Sequence, residues 1–341
     1  MSSDAMLLIA ALRDPSSTRT LDASGWTALI AMARAEQLIG TLAHRLEPEA
    51  APSKIQAILA DARLNADYQR RSALWEADCA ARALVDYSGK VVLLKGTAYV
   101  AAGLKAGEGR HIGDLDILVV RQDLPQVEAL LLDKGGWEWV KEDVYDDAYY
   151  RDHMHELPPL IHKERDRMID VHHTILPLTA RPRPDAAAML ADGTRLGNGL
   201  YVLSRPDMVI HSAAHLFADG DLAGGLRNLW DIHCLLGEFD GPDFWTQLAE
   251  RAKHHQLVAP IERAVRLAHL LYGTAIPKDW NRWNAQDKWY ITRLTARDGW
   301  GCPTRKVIRL IFYIRSHWLR MPPLMLARHL WTKWRKAKGA S

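Results

Sequence analysis

Two aspartates one residue apart, at the head of an apolar run, constrain this chain more than any other feature. Residues 110–120 read RHIGDLDILVV, and the β-branched, apolar tail of that run has the character of a strand. Side chains at i and i+2 of a strand point to the same side, so Asp114 and Asp116 project into one small volume. Two like charges that close are costly unless a cation lies between them. A hard divalent ion with oxygen ligands, Mg²⁺ above all, meets that need. An isolated D-x-D also suits a surface strand with two solvated aspartates, and the neighbouring motifs decide between the two.

Upstream, residues 91–98 read VVLLKGTA, an apolar run ending in Lys95, Gly96 and Thr97 before a helix-compatible segment. Glycine at a strand-to-helix junction lets backbone N–H groups approach phosphate, so this is a candidate phosphate cradle. It is not a P-loop, because the G-x-x-x-x-G-K spacing is absent. Downstream, residues 167–175 read RMIDVHHTI, another strand with Asp170 and His172 on one face and Ile169 and Val171 on the other. That supplies a third carboxylate.

Taken together, Lys95-Gly96-Thr97, Arg110, the Asp114/Asp116 pair and Asp170 resemble the minimal nucleotidyltransferases of the DNA polymerase β-like superfamily, and within it the uncharacterised nucleotidyltransferase branch. The resemblance runs over roughly residues 20 to 290 and is sharpest over 91–120. It implies that Gly96 and Thr97 contact the nucleotide phosphates and that Asp114 and Asp116 share two metal ions. Asp170 would complete one metal site and help activate the attacking group. Arg110, a planar multi-donor cation, would neutralise triphosphate charge. Many superfamily members carry Gly-Ser where this chain has Gly96-Thr97, which keeps the hydroxyl. The implied cofactor is Mg²⁺, two ions, with Mn²⁺ as substitute. The implied substrate is a nucleoside triphosphate, ATP first, and the acceptor is an unidentified small molecule, protein or RNA.

Around this core the pattern changes twice. Residues 4–88 repeat apolar positions at helical spacing, with a long helix bracketed by Pro52-Ser53 and Ser88-Gly89. Between 90 and 175, short strands near 91–95, 115–120, 137–140, 157–162 and 167–173 alternate with helical pieces such as 124–134. Residues 178–200 read as a loop excursion ending in a short strand at 200–203. After Ser204-Arg205-Pro206, a helix start, the chain reads helical to its end. The expected fold is therefore α+β or α/β. A small mixed-sheet nucleotidyltransferase core (90–203) is embedded between an N-terminal helical region (1–89) and a helical domain completing the cleft (204–300). A basic amphipathic tail follows (301–341).

His211 and His215, four apart on one helix face, have the spacing of paired metal ligands, but the glutamate of H-E-x-x-H is missing. They are expected as hydrogen-bonded histidines lining the cleft, which the resemblance puts near the nucleotide or acceptor, while His172, beside Asp170 by alternation, could orient a carboxylate, donate to phosphate or be satisfied in the core. His153 and His155 alternate on one face and would bring His155 to the site if their segment pairs with the Asp170 strand, whereas His162 is expected in a solvated hairpin. Arg227 and Asp231, again four apart, read as a helix-surface ion pair, with Arg227 open as a phosphate or acceptor contact.

Composition is that of an ordinary globular protein, at 48% hydrophobic and 25% charged residues. Three scattered cysteines argue against a disulfide framework or a zinc finger. No leader or spanning segment is legible, so a cytoplasmic address is expected, peripheral to a membrane if the tail binds one. Residues 303–341 carry ten Lys or Arg and no acid, leaving 34 basic against 41 acidic side chains elsewhere. With Trp318, Trp331 and Trp334 among them, that tail suits a membrane surface, an RNA, a protein partner or its own core. Two alternatives to catalysis stand at this point: a catalytically silent nucleotide-binding or interaction protein docked by its tail, and a toxin–antitoxin component.

Overall fold

The computed structural model describes residues 4–47, 51–140, 144–241 and 243–320, with Leu326 and Trp331. Four helices lead: α1 (Asp4–Arg13), α2 (Ala23–Ala35), α3 (Ile39–Arg45) and α4 (Ser53–Ala83). Asp22 caps α2 by accepting the Gly25 N–H, and the Ala/Arg/Gln-rich sequence of α4 sustains 31 helical residues after Pro52. The helix stops at Ala83, short of the expected Ser88-Gly89 boundary.

The centre alternates as the sequence pattern requires: β1 (Val92–Leu93), α5 (Lys95–Ala101), β2 (Asp114–Leu118), α6 (Leu124–Asp133), β3 (Trp137–Trp139), α7 (Val144–His153), β4 (Leu160–His162), β5 (Met168–His172), α8 (Ala186–Ala191), β6 (Thr194–Arg195) and β7 (Tyr201–Val202). The strands form one mixed seven-stranded sheet in the order β3-β4-β5-β2-β1-β7-β6. β2 pairs parallel with β5 and antiparallel with β1. The excursion at 178–200 is not only loop, because α8 and β6 lie within it. Residues 149–153 belong to α7, so His153 and His155 do not alternate along a strand. His162 is buried rather than solvated, its ring edge-on to Trp137 at 5.2 Å and its Nδ1 accepting the N–H groups of Glu164 and Arg165.

The C-terminal helices are α9 (Arg205–Ala214), which runs into a π-helical turn at His215–Asp219, then α10 (Gly225–Glu238), α11 (Phe244–His254), α12 (Val258–Tyr272), α13 (Asp287–Leu294) and α14 (Lys306–Arg320). One contiguous apolar core extends from Ala5 through the sheet to Phe312. Within it α4 packs on α5 and β2, and α9 packs on α5, so the region around α5 and β2 is covered by helices from both sides of the sheet segment in the chain. α3 comes very close to the loop before β2. A Cβ on Gly40 would lie 2.4 Å from the Gly109 carbonyl, and Gly109 itself is at φ +65°.

Helix α14 settles only part of the tail. Phe312 and Ser316 are buried, with Phe312 edge-on to Tyr290, while Val307, Leu310, Ile314 and Trp318 face solvent. The remainder of the expected tail lies outside the described residues apart from Leu326 and Trp331. No helix among the described residues is long and apolar enough to cross a membrane.

Candidate active site

Strand register assembles the carboxylates. In the parallel pair β2/β5, Asp116 stands opposite Asp170, and alternation puts Asp114, Asp116 and Asp170 on one face while Leu115, Ile117, Ile169 and Val171 enter the core on the other. One oxygen from each of the three acids lies within 4.8 Å of the others. Asp114 is exposed, Asp170 half-buried and Asp116 only 2% exposed.

Asp116 is the hub. Its Oδ1 accepts from Lys95 Nζ at 2.6 Å and lies 2.9 Å from His172 Nε2. Burial alone would raise its pKa, but the Lys95 charge and the His172 bond outweigh that and hold it well below the usual carboxylate range. For His172 burial works downward, yet the bond to Asp116 and the charge of Glu156 carry its imidazole above the ordinary value. Asp170 has no cation bonded to it among the described residues. Desolvation, then the charges of Asp116 and Glu156, push it up to about 7. Lys95 adopts φ +48°, a conformation that side-chain residues enter at a cost of about 1–3 kcal/mol and that clusters at functional sites.

The phosphate-cradle candidate sits where β1 gives way to α5. Leu94 N–H bonds the Asp116 carbonyl at 3.0 Å, which ties the start of α5 to the carboxylate strand. Thr97 is 1% exposed and its Oγ1 has no hydrogen-bond partner among the described residues, an orphan donor of the kind a phosphate oxygen would satisfy. Gly96 has no room for a side chain, because a Cβ there would lie 2.0 Å from Arg110 Nη1. Gly96→Ala should therefore displace the Arg110 guanidinium and raise the triphosphate Kd at least ~10-fold with little loss of helix, an outcome checked by calorimetry and circular dichroism.

Arg110 is more committed than the sequence suggests. Its Nε bonds both Asp231 oxygens at 3.0 and 3.2 Å, and its Nη1 bonds the His111 carbonyl at 3.2 Å. Asp231 is thus no surface partner of Arg227: it is a buried counter-ion for Arg110, delivered by α10. Arg227 donates to the same His111 carbonyl at 3.2 Å and has no acidic partner within ion-pair distance among the described residues. Burial and the neighbouring Arg110 charge lower its pKa, the signature of a cation held next to another cation.

His211 lies on α9 and His215 is the first residue of the π-helical turn, both within reach of the Lys95 charge. Burial, then the Lys95 charge, hold both imidazoles neutral, with His215 brought down to about 3. All ten sequence-expected site residues, Lys95, Gly96, Thr97, Arg110, Asp114, Asp116, Asp170, His172, His211 and His215, lie in one connected region. Sequence reasoning missed Glu156 as a site residue and Asp231 as the partner of Arg110. The signal for Asp231 was a lone acid on the apolar face of α10, beside Trp230 and Ile232. Glu156 had no such signal, since its place comes from the Glu156–His172 bridge alone.

Comparison with known proteins agrees with this geometry. A search of curated proteins finds no match. A family model described as uncharacterised nucleotidyltransferase matches residues 22–273, from α2 to the end of α12, and the chain belongs to that family.

Proposed function

We propose that the protein transfers a nucleoside monophosphate from a nucleoside triphosphate, ATP first, to an acceptor nucleophile with release of pyrophosphate. The observation that carries this reading is the convergence of Asp114, Asp116 and Asp170 within 4.8 Å beside the Gly96–Thr97 cradle. An oxygen-only donor set of that kind fits Mg²⁺. Bound there, Mg²⁺ would neutralise charge on the reacting phosphoryl group and on the attacking and leaving oxygens.

The chain's own groups supply the rest. Thr97 Oγ1, a buried hydroxyl without a partner among the described residues, and the first N–H groups of α5 would donate to phosphate oxygens. Lys95 neutralises Asp116 when the carboxylates are otherwise uncompensated, and it is free to transfer to a phosphate once Asp116 has another cation. Arg227, which forms no ion pair with an acid among the described residues, is the stronger candidate for the triphosphate, with Arg110 held against Asp231 as its neighbour. Asp170, with its raised pKa, suits a group that accepts a proton from the acceptor near neutral pH. A catalytically silent protein would have no use for three acids in one volume of which only Asp116 is paired with a cation among the described residues.

Calorimetric titration with triphosphates blocked at the α–β link, with Mg²⁺ and with EDTA, tests the reading. Metal-dependent binding supports it; equal binding in EDTA, or none to any nucleotide, removes it. Asp170 adds a pH signature. Its carboxyl is protonated below about 7, so Mg²⁺ must displace a proton there. Mg²⁺ affinity should fall about tenfold per pH unit below 7 and level off above it, and Asp170→Asn should make that fall much shallower.

A further inference from the structure

Beside the carboxylate triad lies a donor set of different chemistry. His155, Glu156 and His172 each bring one ligating atom to within 4.8 Å of the others. Backbone pairing builds it: the His173 N–H bonds the His155 carbonyl and the Leu157 N–H bonds the Val171 carbonyl, both at 2.9 Å, so residues 155–157 run antiparallel beside the end of β5. The two imidazoles stack with centroids 5.2 Å apart.

Glu156 Oε2 stands 3.4 Å from His172 Nδ1 and 3.6 Å from His155 Nε2. Both separations are long for a hydrogen bond, and His172 Nδ1 has no hydrogen-bond partner among the described residues although its side chain is almost fully buried. Both are close to the roughly 3.3 Å that separates two donors sharing one tetrahedral ion at about 2.0–2.1 Å. The other nitrogen of His172 lies 2.9 Å from Asp116 Oδ1. With Nε2 engaged by that carboxylate, Nδ1 is the nitrogen left to face Glu156, at a separation a shared ion would span.

We propose that His155, Glu156 and His172 form a binding site for one borderline transition-metal ion of the Zn²⁺ and Co²⁺ class, distinct from the oxygen-only triad. Imidazole donors select such ions over Mg²⁺, and two imidazoles with one carboxylate leave a fourth position for water or a ligand atom. The Asp116–His172 contact is the carboxylate–histidine arrangement that orients metal-bound imidazoles, and it would make Asp116 a member of both sites. The proposal does not rest on nucleotidyl transfer, since it concerns metal uptake without nucleotide.

The test uses the full chain, stripped with chelator and titrated with Co²⁺ in excess Mg²⁺, read by visible ligand-field absorption, with Zn²⁺ content measured after desalting. The expected result is about one equivalent of Co²⁺ with the intense absorption of a four-coordinate site. His155→Ala and Glu156→Gln should each weaken binding at least ~10-fold, while Asp114→Asn leaves it unchanged. Glu156, at the edge of the cluster, carries the test if His155→Ala fails to fold. No Co²⁺ uptake by the parent protein overturns the proposal, as does uptake that Asp114→Asn abolishes and Glu156→Gln spares.

Discussion

Asp114→Asn should reduce nucleotidyl transfer at least ~1000-fold while the melting temperature stays within about 2 °C of the parent. The size follows from losing one of three carboxylates around an ion that contributes several kcal/mol to the transition state, at about 1.4 kcal/mol per tenfold in rate. The selectivity follows from place. Asp114 is the exposed member of the triad, and its side chain holds no buried cation in position. Asp116 is the poorer probe, because removing it would strand Lys95 and His172 without their counter-ion and confound chemistry with stability. Transfer would be followed with α-labelled triphosphate and melting by differential scanning fluorimetry. Asp114→Asn with parental activity would sink the catalytic assignment.

Asp231→Ala carries the largest expected effect on stability. Arg110 is 6% exposed and Asp231 2%, and they form a buried pair that joins the loop before β2 to α10. Removing one partner of such a pair leaves the other charge buried and uncompensated, at a cost of about 3–5 kcal/mol. In a chain of this size that lowers the melting temperature by roughly 4–7 °C. The double change Arg110→Met with Asp231→Leu should recover most of that loss, because an apolar pair of similar volume has no charge to desolvate. It should not recover triphosphate binding, since the cation beneath Gly96 is gone. Recovery of both would show that Arg110 serves the fold alone.

The nucleotidyltransferase core was legible because its signals are local. Strand alternation places Asp114 with Asp116 and Asp170 with His172 whatever the rest of the chain does, and a glycine at a strand end marks a close backbone approach. Residues 149–156 show where local reasoning ended. Their spacing reads as a strand, but the chain through His153 is helical in α7, and only residues 155–157 extend along β5. His155 therefore reaches the site by pairing at its own position, not by alternation with His153.

The sequence by itself determined the strand carrying Asp114 and Asp116, the glycine cradle, the strand carrying Asp170 and the helical ends. Each depends on periodicities and backbone restrictions that span only a few residues. Tertiary structure decided what each charge faces. It gave Asp231 to Arg110 rather than to Arg227 four residues away, Lys95 to Asp116, and Glu156 to the two imidazoles. Those pairings join positions up to 121 residues apart. In a buried site the cost of an uncompensated charge is set by whichever element the fold packs against it, and no spacing along the chain encodes that neighbour.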